Sequence, residues 1–160
     1  MQIINTITLN EARKLIQIFL KEKKEGKFKP QETLGVLGQD DEFNRKALEI
    51  KGLNCLIVNE SLEIKDYSKQ RNSQLNEILA KIAAKNNISI GIQIVDIINK
   101  TNKEKARALA RLKQNIMLCK KAKTKLEFIG NFDKNSKREI RALLLVLGAS
   151  TQQASEALKN

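Results

Sequence analysis

Histidine, the side chain that most often transfers protons near neutral pH, does not occur among the 160 residues. Its absence removes the usual base of serine and cysteine nucleophiles and the commonest metal ligand. Carboxylates near predicted strand ends, chiefly Glu60 and Asp96, could hold Mg²⁺ between phosphates, although solvated acids on loops are the commoner interpretation of such residues. The sequence therefore does not favour a self-sufficient active site.

Cysteine and glycine patterns do not supply the missing chemistry. Cys55 and Cys119 are single cysteines without CxxC spacing, and we expect inert buried thiols rather than a disulfide or a metal site. Gly35 and Gly38 lie at a predicted strand end, but no Gly-Lys-Ser/Thr follows them, so they do not form a phosphate-binding loop of that type.

Positive charge is concentrated in the second half of the chain. Residues 1–80 carry 13 Lys and Arg against 12 Asp and Glu, whereas residues 81–160 carry 17 against 6. Such a surface attracts a polyanion. Because only 4% of the residues are aromatic, a phosphate backbone is a better target than stacked single-stranded bases. A basic face that confers solubility alone is the alternative.

Two clusters account for much of this charge. The first holds ten basic residues between Lys100 and Lys125 against one acid, and it includes Lys100, Lys103, Arg107 and Arg111. The second contains Lys137, Arg138 and Arg141. Three- and four-residue spacing in the first cluster predicts one basic helical face opposite an apolar one. Because guanidinium groups bind phosphate oxygens in pairs, we expect the four arginines to be the strongest contacts.

The spacing of apolar residues predicts strands that alternate with helices. The clearest pair is a helix that begins at Asn72 or Ser73, followed by a strand at residues 88–95 that is apolar on both faces. Four more strands are predicted at residues 2–8, 33–37, 53–58 and 126–129. Other helices are predicted to begin at Asn10, Asp40, Lys103, Ser136 and Ser150.

This alternation predicts an α/β fold, and right-handed crossovers would wind it toward a (β/α) barrel. The chain falls short of the eight strands and roughly 250 residues of a complete barrel. We therefore expect a single domain over residues 1–160, a reduced or incompletely closed TIM-like (β/α) barrel, with an open doubly wound sheet as the alternative. The sequence shows no transmembrane run and no signal peptide, so we expect a cytoplasmic protein.

Several motifs in the second half resemble the archaeal and eukaryotic ribonuclease P protein component 3 family, whose barrel-like subunit accompanies a catalytic RNA. Residues 75–83 (LNEILAKIA), 85–88 (KNNI) and 90–92 (IGI) resemble that family's LNEvLAKiA, KNNv and iGf block. Residues 104–107 (EKAR), Gln114-Asn115 with Leu118-Cys119, and Arg138-Glu139 with Leu147-Gly148 resemble its ERAR, QNakLc and PREL–LG motifs. The resemblance covers about residues 72–158, and residues 33–60 match only as strand, helix and strand.

The chain also departs from this family. Residues 130–135 (GNFDKN) replace a Ser/Thr-rich strand end and a longer loop that contains an arginine. Compared with the family, about two N-terminal β/α units and the terminal strand are missing. We therefore expect one basic contact fewer than in the family and a barrel that is reduced or incompletely closed.

The resemblance implies a non-catalytic subunit that binds ribonuclease P RNA and helps it remove 5′ leaders from precursor tRNA. It implies a Pop5-type RRM-like protein partner, no membrane, and no cofactor on the protein itself, since Mg²⁺ would be held by the partner RNA. The expected RNA contacts are Lys81, Lys85, Lys105, Arg107, Arg111, Lys113, Lys137, Arg138 and Arg141. A general basic module for structured RNA and, less favoured, a metal-dependent (β/α) hydrolase remain as alternatives.

Overall fold

Five short parallel strands and seven helices alternate in the computed structural model, which describes residues 1–5, 8–29, 32–68 and 70–159. The strands are β1 (Gln2–Ile4), β2 (Leu34–Leu37), β3 (Cys55–Val58), β4 (Ser89–Ile92) and β5 (Leu126–Phe128). The helices are α1 (Leu9–Lys24), α2 (Asp41–Ala47), α3 (Glu77–Lys85), α4 (Ile94–Ile98), α5 (Asn102–Ala122), α6 (Lys134–Val146) and α7 (Thr151–Glu156). In the described part of the chain, no helix is long and apolar enough to cross a bilayer.

The strand order in the sheet is the order of the chain. Each strand pairs in parallel with the one before it, from β1 at one edge to β5 at the other. A doubly wound sheet would reverse direction at a central switch point, so that alternative is wrong. The fold is α/β with the sequential topology of an open TIM-like barrel, which confirms the prediction.

The two faces of the sheet differ in side-chain size. The face toward the helices is built from large aliphatic side chains, and the core contains Leu34, Val36, Leu56, Val58, Ile90 and Ile92. The opposite face combines small and large residues in register, where Gly35 pairs with Cys55 and the larger Ile57 pairs with Gly91. The thiols of Cys55 and Cys119 are free and buried, and burial raises the pKa of each to about 12. Both are therefore inert buried thiols, as expected.

Because Gly91 has no side chain, two neighbouring side chains fill the space next to it on this second face of the sheet. A Cβ at Gly91 would lie 2.6 Å from Cys55 Sγ and 3.1 Å from Ile57 Cγ1. We expect Gly91→Ala to lower the free energy of unfolding by about 1–3 kcal/mol through overpacking, as measured by urea denaturation. Adding Cys55→Ala should recover part of the loss, and a Gly91→Ala variant as stable as the wild type would contradict the packing.

Four helices begin at other residues than predicted. The helix α5 begins at Asn102 rather than Lys103, and α6 begins at Lys134, capped by Asp133, rather than at Ser136. Asn76, rather than Asn72 or Ser73, caps α3, because its Oδ1 accepts the N–H of Leu79 at 3.0 Å. Thr8, rather than Asn10, caps α1, and its Oγ1 accepts the N–H of Glu11. The predicted strand over residues 2–8 ends at Ile4, and Thr6 and Ile7 lie outside the described residues.

The apolar run that follows α3 contains two elements instead of one. The strand β4 ends at Ile92, and Ile94 begins the short helix α4, which was not predicted. Ile94 and Ile97 are buried on this helix, whereas Val95 is half exposed. A continuous apolar sequence does not reveal where a strand becomes a helix, because both elements bury the same residue types.

Candidate nucleic-acid interface

The helix α5 connects the core to the predicted basic surface. Its 21 residues span roughly 31 Å, and Leu112, Ile116 and Cys119 on its inner side are completely buried. It contacts α3 and α4. Because α5 leads from β4 to β5 in a parallel sheet, its first turns lie near the carboxyl ends of the strands and its last turns near the amino ends.

Arg111 on α5 is 1% exposed and binds the segment that follows β3. Its Nη1 donates to the carbonyl oxygens of Glu60 at 3.1 Å and Leu62 at 2.6 Å. Its Nη2 donates to the carbonyl oxygen of Ile64 at 2.6 Å, and its Nε donates to Asp66 Oδ1 at 3.0 Å. Alternate residues of one extended segment therefore surround a single guanidinium group.

This geometry corrects the role predicted for Arg111. The predicted phosphate contact is a buried structural residue, and the helical face that Arg111 was expected to share with Arg107 is covered by residues 60–66 at this position. Helical periodicity placed both arginines opposite the apolar stripe. It could not show that a loop distant in sequence covers one of them, because that contact is long-range.

About one turn further along α5, Gln114 and Asn115 hold the end of the same loop. Gln114 Oε1 accepts the N–H of Arg71 at 3.0 Å, and its Nε2 donates to the carbonyl oxygen of Arg71 at 2.9 Å. Asn115 Oδ1 accepts the hydroxyl of Ser73 at 2.7 Å, and its Nδ2 donates to Glu60 Oε1 at 2.9 Å. The Gln-Asn pair of the family-like motif is therefore structural, a role that the motif itself did not show.

Glu60 is buried at the carboxyl end of β3 rather than solvated on a loop. It is 1% exposed, and burial raises the pKa of its carboxyl to about 7, against the opposing effects of the Asn115 hydrogen bond and the Arg111 charge. The negative charge of Asp96 raises the pKa further. Within the described ranges, no group of three His, Cys, Asp or Glu side chains is placed to hold a metal ion.

The other eight predicted contacts lie on the surfaces of three helices. They are Lys81 and Lys85 on α3, Lys105, Arg107 and Lys113 on α5, and Lys137, Arg138 and Arg141 on α6. All are exposed except Lys105, Arg107 and Lys137, which are half-buried. The residues in the first turns of α5 and α6 lie toward the carboxyl ends of the strands, whereas Lys85 ends α3 at the amino ends. The structure thus distributes the basic residues over two ends of the fold.

Lys81 belongs to a small ionic cluster between two helices. Its Nζ lies 2.9 Å from Glu77 Oε1, and Lys121 Nζ on α5 lies 3.0 Å from Glu77 Oε2. Hydrogen bonds from Lys81 and Lys121 lower the pKa of Glu77, so the carboxylate is ionised at neutral pH. Two cations and one anion leave this exposed cluster with one net positive charge.

The fold and this surface define a (β/α)-barrel-like protein with basic helices, a class suited to binding a polyanion. No protein-family model matches the chain. Over 139 residues the chain is 32% identical to ribonuclease P protein component 3 of Methanosarcina acetivorans and 30% identical to that of Methanosarcina mazei. Each alignment covers 83% of this chain and 54% of the relative. The chain is thus a homologue of ribonuclease P protein component 3 and spans about half the length of these curated relatives.

A solved structure shares the fold. A chain in the cryo-EM structure of archaeal ribonuclease P with mature tRNA superimposes with a TM-score of 0.72 at 19% identity. The match covers 97% of this chain and 62% of that chain. The same fold therefore occurs within a longer chain of known structure.

Proposed function

We propose that the chain acts as a non-catalytic protein subunit of ribonuclease P. In this role it binds the catalytic RNA and supports the removal of 5′ leaders from precursor tRNA, with a Pop5-type RRM-like subunit as its protein partner. The observation that carries the proposal is the homology to ribonuclease P protein component 3 over 83% of the chain. The exposed basic residues of α3, α5 and α6 lie within the segments that carry the family-like motifs.

The proposed mechanism is electrostatic. Lysines and arginines neutralise closely spaced phosphates and release condensed counterions, which stabilises a compact RNA. The RNA then needs less Mg²⁺ to reach its active structure, and the Mg²⁺ remains bound to the RNA. We propose Lys81, Lys85, Lys105, Arg107, Lys113, Lys137, Arg138 and Arg141 as the contacts, and we omit Arg111 because it is buried.

The test is precursor-tRNA cleavage by ribonuclease P RNA and a Pop5-type subunit, with and without this chain, across a Mg²⁺ titration. We expect cleavage at lower Mg²⁺ only when the chain is present. An unchanged Mg²⁺ requirement would contradict the subunit role. Equal affinity for unrelated structured RNAs would favour the general RNA-binding module, and metal-dependent turnover without RNA would favour the hydrolase.

Two exposed arginines of α6 offer a residue-level test. Arg138 and Arg141 are one helical turn apart, and replacing both with alanine should weaken RNA binding about 10-fold or more at physiological salt. The slope of log affinity against log salt should fall in magnitude by about 2, one unit for each lost phosphate contact. Filter binding to ribonuclease P RNA at several salt concentrations measures both quantities.

A matched control removes the same charge elsewhere. Arg13 on α1 and Arg45 on α2 are exposed arginines in the nearly neutral first half of the chain. The Arg13→Ala/Arg45→Ala variant should keep the affinity and the salt slope of the wild type. If the two double variants behave alike, the positive surface acts only through net charge, and α6 is not a specific contact.

A further inference from the structure

Tyr67 is the most exposed aromatic residue of the chain. It is the only tyrosine in a sequence without tryptophan, and it is 54% exposed. Of the five phenylalanines, all of which are described, three are buried and two, Phe28 and Phe132, pack half-buried against the core. An aromatic face is thus offered to solvent at one position, which lies in the irregular segment between β3 and α3.

The residue that precedes Tyr67 is held by several hydrogen bonds, whereas Tyr67 itself is more than half exposed. The preceding residue, Asp66, accepts hydrogen bonds from Arg111 Nε at 3.0 Å and from the backbone N–H of Asn72 at 2.9 Å. Arg71 Nη1 donates to the other carboxylate oxygen of Asp66 at 3.0 Å. Asp66 is therefore joined to Arg71 and Asn72, and Arg111 anchors it to the core. A ring that follows an anchored residue loses less conformational freedom on binding a ligand than a ring on an unanchored segment.

Two positive side chains belong to the segment around Tyr67. Lys65 is exposed, and the Arg71 side chain remains 48% exposed although it pairs with Asp66. Two arginines compensate the negative charge of Asp66, so the loop around Tyr67 does not repel an anion. Proteins bind single-stranded nucleic acids with an aromatic ring, on which a base stacks, and with cations nearby that meet the adjacent phosphates.

We propose that Tyr67 stacks on an unpaired base of bound RNA, with Lys65 and Arg71 against the neighbouring phosphates. This inference rests on the proposed function, because it requires that the chain binds RNA. It adds a base contact to an interface that is otherwise made of phosphate contacts. It also places a contact outside the basic helices, on the loop that Arg111, Gln114 and Asn115 hold in position.

The single tyrosine allows a direct test, since the intrinsic fluorescence of this chain comes from Tyr67 alone. The probes are a single-stranded RNA of about 12 nucleotides and the fully paired duplex of the same sequence. We expect the single strand to quench Tyr67 fluorescence at saturation and the duplex to leave it nearly unchanged. N-acetyltyrosinamide with the same RNAs corrects for absorption by the bases.

Variants then separate stacking from charge in binding to ribonuclease P RNA. Tyr67→Ala should weaken binding about 5- to 150-fold with an unchanged salt slope, and Tyr67→Phe should stay within about 2-fold of the wild type. Lys65→Ala should instead lower the magnitude of the salt slope by about 1. Ile78→Ala, which truncates a large side chain that is 66% exposed on α3, is the control and should change neither quantity.

The outcomes distinguish this inference from the proposed function. If the wild type binds the RNA and Tyr67→Ala binds equally well, or if the single strand does not quench the fluorescence, the stacking contact is overturned and the RNA-binding role stands. If the wild type does not bind the RNA, both are overturned. If the Pop5-type subunit changes the fluorescence of Tyr67 and RNA does not, the stacking contact is also overturned. Thermal unfolding must first show that Tyr67→Ala is folded, as expected for an exposed ring.

Discussion

Replacing Arg111 with alanine should lower the free energy of unfolding by about 3–5 kcal/mol. The substitution leaves the carbonyl oxygens of Glu60, Leu62 and Ile64 without the guanidinium donors that they have in the folded protein, and it removes the ion pair with Asp66. Buried acceptors that lose their partner incur the full cost of desolvation. Urea denaturation followed by circular dichroism measures the change.

Two further variants show whether the geometry or only the charge of Arg111 matters. Arg111→Lys keeps the charge but offers one ammonium group with three donors, which cannot reach four acceptors spread along an extended segment. We expect it to recover less than half of the loss and to leave residues 61–71 sensitive to protease. Arg107→Ala, on the same helix, should change stability by less than about 0.5 kcal/mol. Equal effects at the two arginines would contradict the anchoring role of Arg111.

Glu60→Gln should remove a pH dependence of stability that the wild type shows between about pH 5 and 8. The usual pKa of a glutamate carboxyl, which applies to the unfolded chain, is 4.5. In the folded protein the pKa of Glu60 is about 7, because burial favours the neutral acid. Between these values the folded state binds more protons than the unfolded state. The wild type should therefore lose roughly 3 kcal/mol of stability as the pH rises through this interval and little more above it.

The composition of the chain makes this experiment easy to interpret. No histidine titrates in the interval, and Glu77, whose pKa is lowered by its hydrogen bonds to Lys81 and Lys121, is ionised in both states above pH 5. At pH 8 the Glu60→Gln variant should be more stable than the wild type, and its stability should be nearly constant from pH 5 to 8. Glu63→Gln, on the exposed part of the same loop, should retain the wild-type slope. A flat wild-type profile would contradict the buried carboxyl.

Local features of the fold were predictable from the sequence, because they depend on neighbouring residues. Asp40 and Ser150 cap the helices that they were predicted to start, and their side-chain oxygens accept the N–H groups of Phe43 at 2.7 Å and Gln153 at 3.1 Å. The alternation of strands and helices and the family resemblance were also correct. The start of α3 shows the limit of local prediction. Asn72, Ser73 and Asn76 are all residue types that cap helices, and the sequence alone does not show that Asn76 is the cap.

The candidate site was less predictable, because its arrangement depends on residues distant in sequence. Arg107 and Arg111 are both arginines on one predicted face, yet Arg111 is buried by residues that lie 45 to 51 positions earlier in the sequence. Glu60 follows a buried strand like an ordinary loop acid, and only Asn115 and Arg111 explain how its burial is tolerated. The sequence indicated which residues carry charge, and the tertiary contacts decided which of them meet solvent.

The sequential strand order has a consequence for how the chain is assembled during synthesis. Each strand finds its partner in the strand made just before it, so the sheet can grow from β1 to β5 as the chain leaves the ribosome. The loop after β3 differs, since residues 60–66 bind a guanidinium that is translated 45 or more residues later. This segment should therefore be the last part of the first three β/α units to become protected from proteases, because its binding partner on α5 is made later.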